Sequence, residues 1–93
     1  MMTQEAVRSM LDLIRNENVS KRARRRDGFL SVYLKEGKEG LKKPYPGKTH
    51  SYLTEREFFI ERHLAQFVEK PTLRRYLALV AWAYKPSFRM DEL

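Results

Sequence analysis

The stretch at residues 71–86, P-T-L-R-R-Y-L-A-L-V-A-W-A-Y-K-P, constrains this chain more than any other. Between its two prolines, ten of the twelve residues at 73–84 are apolar. Leu73, Tyr76, Leu77, Val80, Ala81 and Tyr84 recur at helical spacing, while Leu79, Trp82 and Ala83 fill much of the remaining circumference. A helix apolar nearly all round must be covered on several sides. The uninterrupted apolar run at 77–84 is far below the ~18 residues of a membrane span, so the cover has to come from protein. The rest of the chain must therefore supply amphipathic helices.

Two such segments are legible. In residues 3–16, Thr3 can cap, Glu5 sits in the first turn, and Val7, Met10, Leu11 and Ile14 form one apolar stripe. In residues 54–70, Thr54-Glu-Arg-Glu57 has the form of a capping box, with Leu53 and Phe58 as a hydrophobic staple. The apolar contributors of that helix are Phe58, Ile60, Leu64, Phe67 and Val68. Pro71-Thr72 separates it from a last helix over 72–85, which Pro86 ends, leaving a tail at 86–93.

Residues 20–35 read two ways. Ser20 can cap a helix in which Ala23, Leu30, Tyr33 and Leu34 share a face, while a break at Asp27-Gly28 would leave 28–35 as a strand or a separate helix. No other segment alternates to pair with such a strand, so the helix is favoured, kinked or restarted near Gly28, with Gly37 just past its end. Residues 36–53 hold three of the four glycines and two of the four prolines and read as a loop. A connection of this length is usually functional or disordered. The expected architecture is all-α: a single domain over 1–93, a bundle of three to four helices with a long basic Pro/Gly loop between the second and third.

The net charge of +7 is not spread evenly. Residues 1–19 carry two cations against three acids, and residues 51–93 carry seven against six. Residues 20–50 carry ten against Asp27, Glu36 and Glu39, so they hold the whole excess. Segregation of this kind is the electrostatic footprint of a surface that meets a polyanion. Its densest part is S-K-R-A-R-R-R at 20–26. On a helix from Ser20, Lys21, Arg24 and Arg25 would lie on one side, with Arg22 and Arg26 in a second row, in a first turn where the dipole disfavours cations. A solvated structural face would mix signs, as Glu55-Arg56-Glu57 does. Arginine forks also match phosphate oxygens in pairs.

The loop continues the theme, with Lys38, Lys42, Lys43 and Lys48 interleaved with Tyr45, His50 and Tyr52. Lysines can track phosphates while a tyrosine stacks on a base; equally, Tyr45 and Tyr52 can pin the loop to the core. The two helices at 54–85 resemble the outline of a helix-turn-helix, but the second is too apolar to read a major groove and serves better as scaffold, with Arg74 and Arg75 extending a phosphate-binding surface.

Several chemistries lack their residues. Without cysteine there are no disulfides or thiolate metal sites, and His50 and His63 lack zinc-site spacing. No phosphate-binding loop, nucleophile elbow or strand-to-helix glycine turn occurs. The expectation is a non-enzymatic protein with no catalytic residue, metal, cofactor or small-molecule substrate. The lack of cysteine and of an apolar signal segment fits a cytoplasmic protein with no membrane partner. The expected partner is nucleic acid, DNA or RNA, contacted at its phosphates by Lys21, Arg22, Arg24, Arg25 and Arg26. Lys42, Lys43 and Lys48 would support them, and Tyr45 is a candidate stacking platform. The rival is an adaptor or inhibitor that docks on an acidic protein or a nucleic-acid-processing enzyme, adding apolar groups such as Phe29, Leu41 or Phe88.

Overall fold

The protein, seen in a computed structural model that describes residues 3–17 and 25–87, is a small all-α bundle of four helices. They are α1 (Gln4–Asn16), α2 (Phe29–Gly40), α3 (Tyr52–Glu69) and α4 (Leu73–Val80). Among the described residues the only β pairing is an isolated bridge between Pro44 and Ser51.

The first helix follows its local code. The Thr3 hydroxyl accepts the Ala6 N–H at 3.1 Å, and Val7, Met10, Leu11 and Ile14 are all buried. They meet Phe29, Leu30, Val32 and Tyr33 of α2 and Val80 and Ala81 from the end of α4 in one core. Leu79 and Val80 have no solvent exposure, as the central position of α4 requires. By contrast α3 buries only Tyr52 and Phe67, so it lies on the outside of the bundle, against α4.

Three stretches differ from the sequence reading. The helix expected over 20–35 begins at Phe29: Gly28 is extended, and residues 25–28 form a turn closed by the Gly28 N–H on the Arg25 carbonyl at 3.0 Å. Residues 20–24 lie outside the described part. The same helix runs on past Gly37, which adopts φ +69° and ψ −159°, a conformation open essentially to glycine. After this break Lys38–Gly40 make one more turn, followed by the buried C-cap residue Leu41. The connection is therefore 41–51 rather than 36–53, and it is tightly bonded. Tyr45 N–H donates to the His50 carbonyl at 2.8 Å, Tyr52 N–H to Lys43 at 3.1 Å and Leu53 N–H to Leu41 at 3.2 Å. Pro46 followed by Gly47 at φ +81° supplies its reverse turn, closed by Lys48 N–H on the Tyr45 carbonyl at 2.9 Å.

The third difference is at both ends of the α3–α4 hairpin. Ser51, not Thr54, caps α3: its hydroxyl accepts the Thr54 N–H at 3.2 Å. Leu53 and Phe58 are exposed, so the expected staple is absent, and a polar pair, His50 Nε2 to Glu55 Oε2 at 2.9 Å, spans its place. At the far end α4 stops at Val80, well before Pro86. The Tyr84 N–H reaches back to the Leu79 carbonyl and the Ala83 N–H to Val80, a Schellman closure with Ala83 at φ +60°.

Two arginines tie the hairpin together. Arg56 of α3 donates through Nε to the Trp82 carbonyl at 2.6 Å and through Nη2 to that of Ala83 at 3.0 Å. Arg75 of α4 donates through Nη1 to the carbonyls of Gln66 and Lys70, at 2.8 and 3.0 Å. Each helix thus supplies donors to carbonyls at the C-terminal end of the other.

Candidate nucleic-acid interface

The described part of the basic stretch, Arg25 and Arg26, stands on the turn that leads into α2. This turn is anchored from below, because the Tyr52 hydroxyl donates to the Asp27 carbonyl at 2.8 Å. Tyr52 itself is buried, and burial, with the Asp27 charge second, holds its phenol above the ordinary tyrosine value. Arg25 folds onto Asp27 in a two-pronged pair, Nε to Oδ1 at 2.8 Å and Nη2 to Oδ2 at 2.6 Å. The hydrogen bond to Arg25 lowers the Asp27 carboxyl, and the same bond raises the guanidinium. Lys21, Arg22 and Arg24 lie outside the described residues.

In the loop, Lys42 pairs with Glu39 at 3.0 Å and Lys43 with Glu36. The three acids of residues 20–50 are thereby committed to Arg25, Lys42 and Lys43. All three pairs are solvent-exposed, and pairs of that kind hold their partners weakly. An incoming phosphate can compete for these cations. Lys48 is exposed on the reverse turn, and among the described residues it meets no carboxylate.

Tyr45 is placed differently from a free platform. Its ring packs edge-on against Tyr52, centroids 5.1 Å apart, and tilts against Trp82 at 5.6 Å. Trp82 also meets Phe29 at 5.7 Å and Phe59 at 5.1 Å, and Phe59 stacks on His63 at 3.9 Å. Tyr45, packed on Tyr52 at the start of α3 and on Trp82, therefore pins the loop to the core, the alternative that the sequence left beside stacking.

Arg75, expected on a phosphate-binding surface, has its guanidinium on the end of α3, whereas Arg74 is exposed. No family model, curated protein or solved structure matches the chain. Among the described residues no cluster of His, Cys, Asp or Glu is arranged to hold a metal ion, and no helix is long and apolar enough to cross a membrane.

Two cations outside the expected set, Arg15 and Lys35, line the same cleft as Arg26. Lys35 stands four residues after Ser31, a spacing that puts both on one face of α2 and is readable in the sequence. That the end of α1 brings Arg15 beside them depends on helix packing and has no local signal.

Proposed function

We propose that this protein is a non-enzymatic nucleic-acid-binding protein that contacts backbone phosphates with low sequence specificity. The observation that carries the reading is the segregation of the full excess of seven positive charges into residues 20–50. The geometry adds support: Arg25 and Arg26 stand on an anchored turn, and the exposed cations of the loop follow on a bonded hairpin. Phosphate contacts from such a surface position a strand without reading its bases, and the central helix α4 is too buried to do so. The contacts fall to Lys21, Arg22, Arg24, Arg25 and Arg26, with Lys42, Lys43 and Lys48 in support. A cytoplasmic setting suits a chain without cysteine.

The adaptor reading is weakened at its apolar anchors. Phe29 and Leu41 are 3% and 2% exposed, so neither is available to a partner, and Phe88 lies outside the described residues.

The deciding experiment is an electrophoretic shift with single- and double-stranded DNA and RNA at two salt concentrations. Binding at low salt that weakens with salt, and that falls away when Arg24, Arg25 and Arg26 are replaced by alanine in a folded variant, is the expected result. No shift at low salt, or one indifferent to salt, overturns it.

A further inference from the structure

An open cleft of about 350 Å³ is lined by Arg15, Arg26, Ser31 and Lys35. Arg15 belongs to the last turn of α1, Arg26 to the turn before α2, and Ser31 and Lys35 to successive turns of α2. Three cations and one hydroxyl thus face a common space, and among the described residues no carboxylate lines it. Of the other cations between residues 25 and 50, Arg25, Lys42 and Lys43 have found acids. Among the described residues none of the three cleft cations pairs with a carboxylate. Asp27, next to Arg26 in the chain, is already held by two nitrogens of Arg25.

Like charges gathered without a counter-acid oppose folding, and the cost is relieved when an anion enters. The backbone positions that carry the donors are set by the framework rather than by the ligand. Tyr52 holds the Arg26 turn, and buried contacts between α1 and α2 hold the other two elements together. The donor set also suits phosphate: two guanidinium forks, one ammonium and one hydroxyl can each address an oxygen. The volume is at the small end of ligand clefts, roughly 300–1,000 Å³.

We infer that this cleft is a seat for a phosphate dianion. Three cations are more than a backbone diester with its single charge can balance, whereas a phosphate monoester carries about −1.5 to −2 at neutral pH. The source is either free phosphate or the terminal phosphate of a nucleic-acid strand. Only the second source rests on the function proposed above.

The test is a titration of the full chain with inorganic phosphate against chloride at constant ionic strength, pH 7.5, followed by amide chemical shifts. Saturable shifts are expected at Arg15, Arg26, Ser31 and Lys35. Arg15→Gln or Lys35→Gln, both at exposed positions, should weaken binding by about tenfold, as losing a charged hydrogen bond does. Arg8→Gln, which removes the same charge from α1 outside the cleft, should leave binding unchanged. No saturable shift at these residues, or an equal loss with Arg8→Gln, overturns the inference.

Matched oligonucleotides with and without a 5′-phosphate separate the sources. Tighter binding of the phosphorylated strand, lost in Lys35→Gln, assigns the seat to a strand end. Equal binding of the two strands, with inorganic phosphate still bound in the cleft, assigns it to free phosphate. Oligonucleotide binding without any phosphate response overturns the cleft and leaves the broader function standing. Phosphate binding without oligonucleotide binding does the reverse.

Discussion

Arg56 shows how a residue that reads as surface charge becomes part of the framework. In sequence it sits between Glu55 and Glu57, the pattern of a solvated helix face. In the fold its fork covers the Trp82 and Ala83 carbonyls, and its Cζ lies 5.7 Å from the Phe29 ring centre. Burial holds its guanidinium below the ordinary arginine value. Arg56→Leu should cost about 1–3 kcal/mol, since it leaves carbonyl acceptors without donors. Arg56→Lys should recover only part, because an ammonium cannot fork. Urea unfolding followed by the fluorescence of Trp82, the single tryptophan, measures both. His63 allows a second test. Burial, and then Arg62, lower its imidazole below the ordinary value of 6.5. The unfolded chain therefore binds its proton more readily, so the contribution of neutral His63 is complete above about pH 6.5 and declines below it. The parent should lose more stability than His63→Gln between pH 7 and 5. An identical loss in both proteins counts against this account of His63.

At the scale of elements, the start of α3 separates a sequence motif from the structure that uses it. Thr54-Glu-Arg-Glu57 satisfies the capping pattern, yet the helix begins at Tyr52 with Ser51 as cap. The earlier start places the Tyr52 ring in the core and its hydroxyl on the Asp27 carbonyl, neither of which the local pattern encodes. Ser51→Ala should therefore cost about 1 kcal/mol in thermal or urea unfolding. Thr54→Ala should cost clearly less, because alanine retains the backbone N–H that the cap binds and loses only the long 3.3 Å bond from the Ser51 hydroxyl to the Thr54 hydroxyl. The end of α2 is a related case. Gly37 was legible as a helix-ending residue, but the chain resumes for a turn beyond it and then buries Leu41. The loop of 41–51 is consequently shorter and better bonded than its glycine and proline content suggests.

For the whole molecule, the arrangement of charge makes a quantitative demand. If about five phosphates on duplex DNA are neutralised, log K against log salt concentration should fall with a slope near −4.5. Filter binding or fluorescence anisotropy across a salt series measures it, and a slope near zero rejects a phosphate-dominated interface. The basic middle third was legible because charge balance is a property of composition along the chain. Its detail was not: the sequence could not show that Asp27, Glu36 and Glu39 would take up Arg25, Lys43 and Lys42, or that Tyr45 would turn its ring to Tyr52 and Trp82. By itself the sequence determined the all-α class, the Thr3 cap and buried stripe of α1, the central place of α4 and the basic middle third. These follow from residue types and spacings within one or two turns, where local sterics and periodicity decide. Tertiary structure alone decided where α3 begins, which arginines seal helix ends, and that Arg15, Arg26 and Lys35 share a cleft. Those outcomes rest on bonds and packing between distant residues, such as Tyr52 to Asp27 and Arg56 to Trp82, separated by 25 and 26 positions. No local rule reaches across such a separation; the burial of a common core does.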